Sequence, residues 1–168
     1  MIVCSSLSWG PHVEYTVSIA NRKLWLLVRF KNHGGSVKQL LTLYHLKIRS
    51  ILEFGAPAFH GGLTIQEAND LEMIQKKAFS IILGPKFKNY PSALKILNQE
   101  KLSTRRLLLC EDFAIKCVSN SRHSDMFQIN PVQKTRHSKK YKEPMCNTTR
   151  YYKSAIPFLT MLLNSKVC

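Results

Sequence analysis

A chain of 168 residues that is 45% hydrophobic and 21% charged has enough apolar side chain to bury a core, which argues against wholesale disorder. Its 25 Lys and Arg stand against 10 Asp and Glu, a formal charge of +15, so a polyanionic partner is favoured and nucleic acid comes first. An acidic protein or an anionic membrane surface would satisfy the same charge.

The residues 2–9 are short and apolar and read as a strand remnant before the break at Gly10-Pro11. From Pro11 the pattern turns helical, with Val13, Val17, Ala20, Leu24 and Leu27 on one stripe and a stop expected near Gly34-Gly35. Ser36 with Gln39 has capping-box spacing and opens a second helix, whose buried face is expected at Val37, Leu40, Leu41, Tyr44, Ile48, Ile51 and Leu52. Leu43 and Leu46 fall off that stripe, so burial on two sides is expected; the helix ends before Gly55 and Pro57. Thr64 with Glu67 is a second capping box and starts a third helix, with Ala68, Leu71, Ile74, Ala78 and Ile81 inward and a stop at Gly84-Pro85. A short helix is expected over 91–97 and a longer one over about 103–118, with Leu107, Cys110, Ala114 and Cys117 on one side. Glu72 with Lys76 and Asp112 with Lys116 have the spacing of surface ion pairs.

After Ser119 the apolar period fades. Residues 120–153 carry Arg122, Lys134, Arg136, Lys139, Lys140, Lys142, Arg150 and Lys153 with Tyr141, Tyr151 and Tyr152 among them, and read as a basic, irregular arm. A last apolar helix is expected over 156–163, docking back on the core. The fold class expected is therefore all-α, a helical bundle with a basic C-terminal arm.

The five cysteines, Cys4, Cys110, Cys117, Cys146 and Cys168, are odd in number and form no C-x-x-C pair. Cys110 and Cys117 share a helix face and read as buried free thiols, which suits an intracellular compartment, cytoplasmic or nuclear. No run approaches the roughly 18 apolar residues of a membrane span, and the N-terminus lacks signal-peptide character. A membrane partner is not expected.

Nucleotidyl transfer needs close carboxylates to hold two metal ions. The three aspartates, Asp70, Asp112 and Asp125, are far apart in sequence, and no Tyr-x-Asp-Asp occurs. His12-Val13-Glu14 has the outline of a deaminase zinc motif without its cysteine pair, and reads instead as a helix-start histidine beside an exposed acid. No nucleotide loop or cofactor fingerprint is present, so no catalytic residue, metal site or cofactor is expected in this chain. The doublets Lys76-Lys77, Lys86-Phe87-Lys88 and Arg105-Arg106 read singly as solvated helix faces. With the arm they strengthen a nucleic-acid reading, because phosphates reward Lys and Arg at any sequence and tyrosines stack on exposed bases. Tyr151 and Tyr152 serve equally well as anchors of the arm.

Residues 43–60, closing on Ile74-Gln75-Lys76-Lys77-Ala78-Phe79 and Ile81-Ile82-Leu83-Gly84, resemble the segment downstream of the active site in jockey-like, non-LTR retrotransposon reverse transcriptases. Leu7-Ser8-Trp9 with His12-Val13 resembles the opening of that family's thumb. Tyr90-Pro91-Ser92-Ala93-Leu94, then Leu109 to Cys117, then His123-Ser124-Asp125-Met126-Phe127, then Arg150-Tyr151-Tyr152 follow in the family's order. The resemblance implies a fragment of an RNA-directed DNA polymerase, a helical thumb without the catalytic palm and inactive alone, that holds RNA or an RNA–DNA hybrid through its backbone. It divides the chain into a palm-end remnant at 1–10, a thumb-like domain at 11–119, a basic arm at 120–153 and a C-terminal helix at 154–168, with the missing palm as a packing partner. The residues expected to bind nucleic acid are Lys134, Arg136, Lys139, Lys140, Lys142 and Arg150, with Tyr151 and Tyr152 as stacking groups. The alternative is a helical protein-interaction module or a relict open reading frame.

Overall fold

The computed structural model describes residues 1–3, 8–120, 123–131 and 139–165. The fold is all-α. The helices are α1 (Gly10–Asn32), α2 (Val37–Tyr44), α3 (Ser50–Glu53), α4 (Ala56–Phe59), α5 (Ile65–Leu83), α6 (Tyr90–Ile96), α7 (Leu102–Ser119), α8 (Thr149–Tyr152) and α9 (Ala155–Ser165). The described part of the expected strand remnant, residues 2–3 and 8–9, is not in a strand. No helix among the described residues is long and apolar enough to cross a membrane. Contacts divide the chain into two units, one of residues 1–54 and 63–105, the other of residues 55–62 and 106–168.

In the first unit α1 packs along α5, and α2 and α6 also pack on α5. Both expected capping boxes form. The Ser36 N–H donates to Gln39 Oε1 at 2.9 Å, and the Thr64 N–H donates to Glu67 Oε2 at 2.7 Å. Each closes orphan donors of a helix start by purely local chemistry.

Between α2 and α3 the helix widens over His45–Arg49, where the Ser50 N–H reaches back five residues to the His45 carbonyl. The reason lies in the buried line Leu40, Tyr44, Ile48 and Leu52. A strict four-residue spacing drifts by about 40° per step on a regular helix. The wider turn absorbs that drift. Part of the expected face is overturned: Val37, in the first turn of α2, is exposed, and Leu46 in the wide turn, expected inside, is 65% exposed.

A buried polar network crosses this unit. Gln75, 1% exposed, accepts from the Tyr44 hydroxyl at 2.5 Å and donates to the Tyr90 hydroxyl at 2.9 Å and the Glu100 carbonyl at 2.8 Å. Tyr90 in turn donates to Glu72. Glu72 does not pair with Lys76; its carboxylate accepts from the backbone N–H groups of Leu102 and Ser103 at 3.0 and 3.1 Å, capping the start of α7. Burial raises the ionisation range of Tyr44 and Tyr90, so both hydroxyls keep their protons and act as donors. At the far end of α5, Lys31 Nζ donates to the Ile81 carbonyl at 2.5 Å, beside Gly84 at φ +56°.

The second unit is built on Cys110, Ala114 and Cys117 of α7, Phe127, Tyr141, and Leu159 and Leu163 of α9. The two cysteines are buried free thiols, and burial pushes the Cys110 thiol up to about 12. The expected docking of the last helix is observed in these contacts. Gly61 lies where a methyl group would meet the Phe158 ring at 2.6 Å, and Phe158 meets His60 edge to face at 5.6 Å. The Arg105-Arg106 doublet is not a solvated face: Arg105 pairs with Glu53 at 2.7 Å, and Arg106 is fully buried. Asp112 forms no pair with Lys116, the second ion pair expected from spacing.

Candidate nucleic-acid interface

The basic arm belongs to the second unit. Residues 139–142 are extended and pair antiparallel with residues 128–130: Asn130 N–H donates to the Lys140 carbonyl at 2.9 Å, and Lys142 N–H donates to the Gln128 carbonyl at 2.8 Å. Side chains alternate along an extended segment. Tyr141 therefore points in and is 5% exposed, while Lys140 and Lys142 on either side are exposed. The tyrosine sequence reasoning grouped with the cations is thus a core residue.

The outer edge of Tyr141 is closed by one side chain. Asn164 of α9 accepts from the Tyr141 N–H at 2.9 Å and donates to its carbonyl at 3.0 Å. A primary amide offers one acceptor and two donors in a plane, the complement of a peptide edge. This anchor had no signal in the sequence, because an asparagine near the end of an apolar helix pairs with an extended segment 23 residues away.

The other expected residues lie on α8. Thr148 caps it by accepting from the Tyr151 N–H at 3.2 Å, and Arg150, Tyr151 and Tyr152 are exposed. The Tyr152 hydroxyl reaches Met161 Sδ of α9 at 2.9 Å. Met161 and Asn164 stand three residues apart on α9, which makes them neighbours on one helix face. A single turn of α9 thus contacts both the extended Lys140–Lys142 segment and the α8 turn. The cations are not equal. Lys139 pairs with Glu143 at 2.7 Å, so part of its charge is compensated. Lys140 lies over the Tyr141 ring, 5.5 Å from the centroid. Lys134 and Arg136 lie outside the described residues.

A second cationic surface, which sequence reasoning missed, lies on α1 in the first unit. A shallow groove is lined by Ile19, Arg22, Lys23, Trp25 and Leu26. Trp25 is 57% exposed, and the Arg29 guanidinium sits 5.1 Å from its ring centroid. The available signal was helical spacing: Arg22 and Arg29 fall three before and four after Trp25, off the buried stripe.

Among the described residues no group of three or more His, Cys, Asp or Glu is placed to hold a metal ion. Asp70 lies on α5, Asp112 on α7 and Asp125 in the turn after α7. His12 is a buried residue at the start of α1, and Glu14 is exposed. No protein-family model matches the chain, and neither does a curated protein or a solved structure.

Proposed function

We propose that this chain binds the phosphate backbone of RNA or an RNA–DNA hybrid without sequence preference, as a thumb-like region related to jockey-like reverse transcriptases. The observation that supports the reading is the pair of cationic segments contacted by one turn of α9. Lys140 and Lys142 project from an extended segment whose backbone is pinned by Asn164, and Arg150 stands on a capped turn tied to Met161 through Tyr152. A pinned backbone lowers the ordering cost of presenting the lysines to phosphates. Between residues 134 and 153 seven cations face one acid, Glu143. That balance sets the sign of the partner.

The test is titration of the purified chain onto a labelled RNA–DNA hybrid across a salt series. Each phosphate contact contributes about 0.9 to the log–log salt slope on a duplex. Replacing Lys140, Lys142 and Arg150 by glutamine is expected to flatten the slope by up to about 2.7. Equal slopes for the variant and the parent would reject the arm as the binding surface.

One observation favours a second reading, a helical protein-interaction module. Phe30, Leu43 and Leu46 line an apolar groove with Lys38, Gln39 and Thr42. A protein held there would remain bound at high salt, where phosphate binding is lost.

A further inference from the structure

We infer that the outer face of α1 is a separate site for single-stranded nucleic acid, which stacks one unpaired base on Trp25 and places the flanking phosphates on Arg22 and Lys23. The groove is lined by two half-buried apolar side chains, Ile19 and Leu26, by the exposed indole and by two exposed cations. A nucleotide presents the same three surfaces in one residue: a π face, an apolar edge and an anionic phosphate. Bases stack on exposed aromatic side chains whatever their identity, and cations beside the ring track the backbone. Arg29 does not line the groove, although its guanidinium lies over the indole. It steadies the ring and adds a further cation beside it.

Charge selects the occupant. The helix carries Arg22, Lys23, Arg29 and Lys31 against one acid, Glu14, which stands near its other end. A second copy of this chain, itself at +15, is repelled. A paired duplex buries its base faces and offers Trp25 nothing to stack on. This surface therefore prefers an unpaired strand, whereas the arm needs only phosphates.

The chain has two tryptophans, Trp9 and Trp25, so a Trp9→Phe variant reports Trp25 alone. The probe is an oligouridylate of about ten nucleotides, whose bases stack weakly on one another. Stacking is expected to quench the emission saturably, and Trp25→Leu to lower affinity by about ten-fold or more. Trp25→Phe should restore part of that loss. Replacing both Arg22 and Lys23 by glutamine should flatten the salt slope by about 1.4, at about 0.7 per contact on a single strand. Oligouridylate that binds without changing the emission, or that binds the leucine variant equally well, would overturn the site. So would an emission response to anionic phospholipid vesicles but not to oligouridylate, or no binding at low salt. The glutamine variants of the arm should keep Trp25 quenching while flattening the salt slope of hybrid binding, so failure of one surface is distinguishable from failure of the other.

Discussion

Asn164 is the side chain on which the arm depends, and its removal gives the sharpest test. In Asn164→Ala both hydrogen bonds to Tyr141 disappear, at 2.9 and 3.0 Å, and the Tyr141 N–H and C=O are left without a partner in a site where the parent residue is 5% exposed. A buried polar group left unsatisfied costs about 1–3 kcal/mol, so two of them, partly relieved by water, give about 2–4 kcal/mol. That is a large share of the ~5–15 kcal/mol that holds a domain together. The midpoint of thermal unfolding should fall by about 5–15 °C for a chain of this size. Asn164→Asp is the informative partner variant. It keeps an acceptor for the Tyr141 N–H but faces the Tyr141 carbonyl with a charge, so its deficit should be largest at neutral pH. The deficit should shrink as the pH falls towards about 4 and level off below, because a carboxyl whose charge the fold disfavours takes up its proton above the unfolded value and can then donate to the carbonyl. Urea unfolding gives the energies, and hydrogen exchange at the Tyr141 amide reads the contact directly. Hybrid binding should weaken in Asn164→Ala although no charge is lost. An alanine variant within about 0.5 kcal/mol of the parent, with unchanged protection at Tyr141, would refute the reasoning.

Gln75→Ala opens the network of the first unit, leaving the Tyr44 and Tyr90 hydroxyls and the Glu100 carbonyl short of partners, and should destabilise by about 2–4 kcal/mol in urea unfolding. Gly84→Ala forces a side chain into φ +56° with its methyl 2.5 Å from Lys31 Nζ, and should lose about 1–3 kcal/mol by the same measurement. His60 is held well below the usual imidazole range, at about 4, first by burial and second by the Arg106 guanidinium. It is neutral in the folded chain while the unfolded chain takes up its proton below about pH 6.5. Stability should therefore decline as the pH falls from about 6.5 towards 4, and level off below. His60→Gln should flatten that part of the curve; a pH profile parallel to the parent's would refute the assignment.

The caps show how far local chemistry reaches. Ser36 with Gln39 and Thr64 with Glu67 announce their helices because donor and acceptor lie three residues apart, a distance set by the helix itself. The stripe on α1 is legible for the same reason: Val13, Ala20, Leu24 and Leu27 are buried as their spacing requires, with Val17 half-buried. Glu72 marks where local reasoning fails. Its spacing to Lys76 is right for an ion pair, yet three donors 18 to 31 residues away occupy it. A carboxylate gains more from orphan N–H groups at a partly buried helix start than from an ammonium in water. Leu46 fails through geometry, since the wider turn at His45–Arg49 answers to the buried line across it.

The candidate site divides in the same way. The sign of the arm's charge is legible in the sequence alone, because charge and composition add up without regard to fold. Periodicity and capping also announce the longer helices, because they act within one or two turns, but they miss the one-turn helices α4 and α8, the second of which lies in the arm expected to be irregular. Only the tertiary structure decides that Tyr141 turns inward, that Asn164 and Met161 contact the extended segment and the α8 turn from one face of α9, and that residues 55–62 belong with residues 106–168. Those outcomes depend on which buried polar group reaches which backbone edge across the fold, and no residue's neighbours in sequence carry that information.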